Sequence, residues 1–270
     1  MYKKASWYVK SLSYIGILLL YIPLFFIAVF SVNANRHGQT WGGFTFDWYL
    51  KLFENTQVQT ATVNSLILAF VSTVIATLFG TLLAVGIHRT PWTKKVQNFF
   101  DYSINIPVVT PDILMAIALV TVFGVFRSVI PGFELGMTTL IISHVVFQIS
   151  FVVLVVLSRL SSIPKDQIEA ARDLYSSTAG AWFRVILPQI ANSILAGALL
   201  AFTLSLDDFI ISFFVSSPKA QTLPLYIYGS LKRGISPEIH ALSTLIIGVT
   251  LLGMLITLLY TQKNKKGKKK

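Results

Sequence analysis

Hydrophobic residues in this chain occur in long blocks separated by short polar segments. Six blocks exceed the roughly 20 apolar residues that a helix needs to cross a hydrocarbon core about 30 Å thick. They lie at about 11–32, 63–87, 104–126, 136–158, 191–215 and 239–260. The blocks lack the apolar–polar alternation of outer-membrane barrel strands. The pattern therefore predicts an all-α integral membrane protein with six transmembrane helices, because a helix satisfies its backbone groups without water.

The polar segment between the fourth and fifth blocks, about 159–190, predicts two short helices. Pro164 suits the first turn of one helix, where the missing N–H costs little. Ser177 or Thr178 can cap a second helix. Pro188 marks either the end of that second helix or a bend into the fifth span.

Each of these two predicted helices carries an apolar stripe with steps of three and four residues. The stripes consist of Ile168, Ala171, Leu174 and Tyr175 on the first helix, and of Trp182, Val185 and Ile186 on the second. Such a stripe either packs on the protein's own spans or docks in a groove of another protein. The pattern alone leaves both interpretations open.

Composition supports a membrane location and sets its orientation. The chain is 54% apolar and only 12% charged, too few charges to cover the surface of a soluble domain. Of the 22 Lys and Arg residues, 16 fall on one side of the predicted topology and 6 on the other. The positive-inside rule then places both termini in the cytoplasm. The lysine-rich tail from Lys263 to Lys270 is assigned to anionic membrane lipid rather than to nucleic acid.

The first outer loop, about 33–60, is rich in aromatic residues. It contains Trp41, Phe44, Trp48 and Tyr49. Rings with a polar edge settle at the membrane–water interface. We therefore favour an interfacial belt over a binding surface for this loop.

Three carboxylates lie within the apolar spans: Asp112, Asp207 and Asp208. An acid at mid-span costs about 2.5–3.5 kcal/mol on insertion scales, so each should face a protein interior or a wet cavity. Pro107 and Pro111 precede Asp112 and should kink or break the third span, a common form of transporter site. We predict these acids as the substrate pathway, with structural helix–helix hydrogen bonds as the alternative.

Asp207 and Asp208 are adjacent, so their side chains should point about 100° apart on a helix. One acid can therefore line the pathway while the other bonds to a neighbouring span. For His144, within the fourth span, a hydrogen bond to a neighbouring helix is favoured over proton relay. The chain has no cysteine, paired-histidine metal motif or nucleophile–base constellation, so we predict no catalytic or metal site.

The run Glu-Ala-Ala-Arg-Asp-Leu from Glu169, which closes with Leu-Pro at Pro188, resembles the cytoplasmic EAA loop of ABC importer permeases. It lies between the fourth and fifth spans, where a six-span permease of that family carries the loop. Tyr175 stands where the family usually has glycine, and Gly180 is near but not at that position. The resemblance implies a coupling helix that docks on an ATPase subunit, with coupling residues Glu169, Ala170, Ala171, Asp173, Leu174, Leu187 and Pro188.

Further segments are similar to the spermidine/putrescine importer permeases, and most of all to the second permease subunit of that importer. The resemblance extends over most of the chain and is densest from about Pro107 to Ile246. The segments that carry it are 202–209, 212–215, 223–228 and 234–239. Separated carboxylates agree with this cargo, since a polyamine carries separated ammonium groups and aromatic faces add cation–π contacts.

The resemblance implies a type I ABC importer permease fold, with residues 1–270 as a single transmembrane permease domain in the bacterial inner membrane. It implies three protein partners: a second homologous permease, a homodimer of a cytoplasmic ATPase and an extracytoplasmic polyamine-binding protein. ATP and Mg would bind the ATPase, and this chain, which lacks a phosphate loop, would bind no cofactor and would not be an enzyme by itself. The alternatives are a permease for another small cationic or organic solute and an ion-gradient-driven secondary carrier.

Overall fold

A computed structural model describes residues 7–35, 40–164, 167, 170, 177–234 and 237–267. These residues are almost entirely helical. The helices are α1 (Trp7–Phe30), α2 (Asp47–Glu54), α3 (Thr56–Arg89), α4 (Lys94–Val109), α5 (Asp112–Val129), α6 (Met137–Ser161), α7 (Thr178–Ala181), α8 (Leu187–Asp207), α9 (Ile210–Val215), α10 (Leu223–Arg233) and α11 (Pro237–Gly267). A π-helical turn, Trp182–Ile186, joins α7 to α8, and a 3₁₀ turn, Pro218–Ala220, follows α9.

Within the described residues, six helical segments are long and apolar enough to span a membrane, which confirms the predicted number. They are Trp7–Phe30, Thr56–Arg89, Asp112–Val129, Met137–Ser161, Trp182–Asp207 and Pro237–Leu255. The nearly all-helical architecture is also confirmed. The assignment of the whole chain to one permease domain stays a prediction.

The third and fifth predicted spans differ most from the structure. The third span begins at Asp112 rather than near residue 104, because Thr110 and Pro111 are extended and separate α4 from α5. The break expected from Pro107 and Pro111 is therefore present, although Pro107 itself lies inside α4. The fifth span, predicted at 191–215, begins earlier and stops at Asp207.

The chain divides into two compact units. The larger unit, Thr60–Tyr226, is organised around α6, which packs against α4, α8 and α9. Close packing there depends on glycine at position 80, where a Cβ would lie 2.8 Å from the Cβ of Val152. Small residues at such crossings let transmembrane helices approach one another.

The smaller unit comprises residues 1–59 and 227–270, and in it α1 and α2 both pack on α11. Trp48 and Leu52 supply the buried face of α2. The Asn55 side-chain amide donates a 2.7 Å hydrogen bond to the carboxylate of Glu238, in the first turn of α11. Residues 7–26 of α1 are exposed, as expected of a span that meets lipid or another subunit.

Candidate functional site

The fifth span breaks at Asp208. α8 ends at Asp207, and Asp208 takes an extended conformation (φ −63°, ψ 121°) before α9 begins at Ile210. The Asp208 carboxylate accepts the backbone N–H groups of Ile211 at 3.2 Å and Ser212 at 2.9 Å, and the Ser212 hydroxyl at 2.8 Å. These bonds satisfy groups that the start of a new helix leaves without partners, so the carboxylate stabilises the break.

His144 of α6 holds the same carboxylate from a neighbouring span. Its Nε2 lies 3.3 Å from Asp208 Oδ2 and 3.3 Å from the Ser212 hydroxyl, and its Nδ1 lies 2.7 Å from the Ser205 hydroxyl. The histidine is 1% exposed and the Asp208 side chain 8%. The predicted hydrogen bond between His144 and a neighbouring helix is therefore confirmed.

The polar network continues from Ser205 toward α3. The hydroxyls of Ser205 and Ser72 lie 3.4 Å apart, and the Gln148 side-chain amide donates to the Ser72 hydroxyl at 3.2 Å and to the Ala201 carbonyl at 3.1 Å. The network thus links α3, α6, α8 and α9 through buried groups. Interhelical bonds of this kind are a main source of cohesion between membrane helices.

Sequence reasoning did not single out Ser72, Gln148 or Ser205. A signal for Gln148 was present, since it lies four residues after His144 and thus on the same face of α6. The serines are small and common in apolar spans, and their spacing carries no comparable signal.

Asp112 and Asp207 differ from Asp208 in being exposed. Asp112 is the first residue of α5 and Asp207 the last of α8. The two carboxylates lie near enough for their charges to interact. The structure thus has two accessible acids, each at a helix end beside a break, while the third acid is buried among protein groups. Contact of any of the three with substrate stays a prediction.

Much of the EAA motif lies outside the described residues, including Glu169, Ala171, Asp173, Leu174 and Tyr175. Ala170 is described as helical and exposed. The predicted capping of the second helix is confirmed for Ser177, whose hydroxyl accepts the Gly180 N–H at 3.0 Å.

Pro188 is the second residue of α8, so it does not mark the end of the second loop helix. Helical structure continues past it into the fifth span, in line with the other sequence interpretation. The preceding residue, Leu187, bonds through its N–H to the carbonyl of Trp182, five residues back. The π-helical turn accommodates the proline, which has no N–H to donate. Helical structure therefore runs directly into the fifth span from the preceding loop, which is predicted to be cytoplasmic.

The apolar stripe of the second loop helix packs on the protein's own core. Ile186 is buried, and the half-buried Trp182 and Val185 pack beside it in a cluster that also contains Ile163, Ile190, Phe100 and Ile104. Arg89, at the end of α3, places its guanidinium 5.3 Å from the centre of the Trp182 ring. Phe183, which follows Trp182 in sequence, is 70% exposed. The second helix is thus packed on the helical core on one side and exposed on the other. The predicted stripe of the first helix, Ile168, Ala171, Leu174 and Tyr175, lies outside the described residues.

Comparison with known proteins gives concordant results. A family model described as "Binding-protein-dependent transport system inner membrane component" matches residues 76–266. The chain is 38% identical over 248 residues to the spermidine/putrescine transport system permease protein PotC of Escherichia coli (strain K12), covering 92% of this chain and 91% of that protein. It is 35% identical over 254 residues to the putrescine transport system permease protein PotI of the same organism, covering 93% and 90%.

Among solved structures, a chain of a bacterial ABC transporter involved in the import of the acidic polysaccharide alginate superposes with a TM-score of 0.73. The superposition covers 96% of both chains at 17% sequence identity. A similarity at this level of identity concerns the fold. It says nothing about cargo, so the choice of substrate must come from side chains.

Proposed function

Because the chain belongs to the family of binding-protein-dependent transport system inner membrane components, we propose that it carries polyamines into the cytoplasm as one permease subunit of an ATP-driven importer. It is a multi-pass membrane protein with the fold of the type I ABC importer permeases. The sequence relatives PotC and PotI are named for spermidine and putrescine transport, which supports this cargo.

The observation that carries the choice of cargo is the pair Asp112 and Asp207. Asp207 lies at the carboxyl end of α8, where the helix dipole is negative and adds to the charge of the carboxylate. Nearby Asp112 contributes a second negative charge. A cation relieves this unfavourable concentration of charge, and an anion would increase it.

Polyamines match the pair in a further respect. Their ammonium groups are separated along a flexible chain, so one molecule can meet two carboxylates in turn. Carboxyl ends of broken helices near the membrane midplane coordinate cations in other transporters. Asp208 serves the same site indirectly, since its bonds to Ser212 and His144 hold the break that ends α8 at Asp207.

The remaining components follow from the family. ATP and Mg²⁺ bind a cytoplasmic ATPase dimer, which docks on the loop that contains Ala170 and Phe183. A second permease completes the pathway, and an extracytoplasmic binding protein delivers the polyamine. The distribution of Lys and Arg supports both termini on the cytoplasmic side.

The test is uptake of labelled spermidine and putrescine into proteoliposomes that contain the chain with its partner subunits and ATP. Asp112→Asn and Asp207→Asn each remove one charge at constant shape. Loss of one such interaction, about 1 kcal/mol or more for a pair near a protein surface, should raise the apparent KM at least about fivefold. Asp101→Asn, at an exposed acid of α4 eleven residues before Asp112, is the matched control and should transport normally.

Two results would contradict the proposal. If both variants transport like the control, the acids do not form a cation pathway. If uptake stops when the membrane potential is collapsed while ATP is intact, the chain works as an ion-gradient-driven carrier.

A further inference from the structure

The described residues between the first two spans, 31–35 and 40–55, form a cap held by side-chain and backbone hydrogen bonds. The Asn33 side chain, fully buried, accepts the backbone N–H groups of Asn35 at 3.1 Å and Gly42 at 2.8 Å, and donates to the Thr40 carbonyl at 2.9 Å. An antiparallel bridge pairs Asn33 with Phe44. The cap therefore has a fixed geometry that aims its outer side chains in set directions.

α2, which follows in the cap, presents three distinct faces. One face is buried on α11 and consists of Trp48 and Leu52, with the Trp48 indole N–H donating to the Asn33 carbonyl at 2.7 Å. A charged stripe consists of Asp47, Lys51 and Glu54. An apolar stripe consists of Leu50 and Phe53 together with Phe46, the N-cap residue just before the helix, and these three are 66%, 67% and 66% exposed, respectively.

The two exposed stripes of α2 point in different directions. At about 100° per residue, positions 46, 50 and 53 cluster on one side of the helix. Positions 47, 51 and 54 cluster about 100° away from them. The loop before α2 adds two more exposed aromatic residues, Trp41 and Phe44, whose rings meet edge to face at 5.4 Å. Large apolar side chains so arranged indicate a surface that meets something other than water.

Both ends of α2 are tied to the ends of spans. Near its start, the Thr45 N–H bonds to the carbonyl of Val32, two residues beyond the end of α1, at 2.8 Å. Just past its end, Asn55 bonds to Glu238 in the first turn of α11. The axis of α2 is therefore fixed beside the end of α1 and the start of α11.

We propose that α2 is an interfacial helix whose apolar stripe inserts into the membrane–water boundary beside the first and last spans. Its aromatic and leucine side chains suit the boundary between head groups and acyl chains, and its charged stripe suits the water side. This refines the expectation of an aromatic belt: Trp48 faces the protein, whereas Phe46, Leu50 and Phe53 face lipid.

The chain contains no cysteine, so single-cysteine variants need no background substitution. The experiment places nitroxide labels by Phe46→Cys, Leu50→Cys and Phe53→Cys, with Asp47→Cys, Lys51→Cys and Glu54→Cys as matched controls on the same helix. The full chain, assembled with its partner subunits in lipid nanodiscs, is then measured for collision of each label with oxygen and with a water-soluble nickel chelate.

Labels on the apolar stripe should collide more with oxygen than with nickel, and the ratio should invert on the charged stripe. This pattern should not change when the extracytoplasmic binding protein is added. Three results would overturn the proposal: nickel access to the apolar stripe, nickel access that is lost on addition of the binding protein, or protection from both reagents. The second result would assign the stripe to the binding protein and the third to the partner permease. The measurement needs no transport, so it stands or fails independently of the proposed cargo.

Discussion

Asp207 and Asp208 are neighbours in sequence with opposite surroundings, and substitution of each should separate stability from transport. Asp208→Ala removes a buried carboxylate that accepts three hydrogen bonds and faces His144. Asp207→Asn changes an exposed acid at the end of α8. We expect the first substitution to destabilise the fold and the second to impair transport of a folded protein.

The magnitude for Asp208→Ala follows from its four partners. The four contacting groups belong to three residues, Ile211, Ser212 and His144. Loss of the local cap on α9 costs about 0.5–2 kcal/mol. Loss of the interhelical contact to His144 adds about 0.6 kcal/mol at the average value for membrane proteins and about 1.7 kcal/mol at most. Removal of one member of a buried pair costs about 3–5 kcal/mol, because the other member is left without compensation. Ser212 and His144 are both almost fully buried, so we expect a loss of about 2–5 kcal/mol.

The control substitutions should cost less unfolding free energy. Asp207→Asn should change the free energy of unfolding by no more than about 0.5 kcal/mol, as is usual for exposed positions. Asp208→Asn should fall between the two, since the amide oxygen can still cap α9 but the charge is lost.

Reversible unfolding in bicelles, measured by steric trapping, gives these free energies, and uptake assays give transport. A double-mutant cycle of Asp208→Ala with His144→Ala should show coupling, because the two residues share one network. Equal stability of Asp208→Ala and Asp207→Asn would refute the assignment of a structural role to Asp208. Additive effects in the cycle would show that His144 does not act through that carboxylate.

Two further substitutions test the packing of the spans and the exposed side of the cytoplasmic loop at Phe183. Gly80→Ala should cost about 1–3 kcal/mol of unfolding free energy, because the new Cβ would lie 2.8 Å from that of Val152. The control Gly86→Ala should not destabilise the protein, because a Cβ there meets open space. Equal effects of the two substitutions would contradict the close helix crossing at Gly80. Phe183→Ala should weaken ATPase docking by about 1 kcal/mol, roughly fivefold in affinity, measured as lost stimulation of ATP hydrolysis. Phe70→Ala, at similar exposure on α3, is its control, and unchanged stimulation in Phe183→Ala would exclude this face from docking.

The number of spans and the break before Asp112 were predictable because their signals are strong. Apolar blocks of more than 20 residues have few structural alternatives in lipid. Prolines 107 and 111 each remove a backbone donor, and the helix break falls beside the second of them. The Ser177 cap was predictable for a similar reason, since a hydroxyl before a helix has a local partner three residues on.

The break in the fifth span was not predicted, because apolar residues continue across it. Phe209 to Val215 reads as more of the same span, and hydrophobicity does not reveal where a helix is interrupted. A local signal existed in Asp208, which is a favoured N-cap residue and bonds to Ile211 and Ser212. Its other partner, His144, is 64 residues away in sequence, so this contact becomes visible only when the spans are packed.

That long-range contact explains why sequence alone could not divide the roles of the two adjacent acids. On a continuous helix Asp207 and Asp208 would differ only by a rotation of about 100°. Here the helix ends at Asp207, which keeps the negative end of α8, and the extended Asp208 bonds to the first turn of α9. The Asp208 carboxylate accepts hydrogen bonds from Ile211 and Ser212, whereas the Asp207 carboxylate lies at the negative end of a helix within reach of the charges of Asp208 and Asp112. The same break that stabilises the fold through Asp208 thus concentrates negative charge at Asp207, where a cationic cargo would bind.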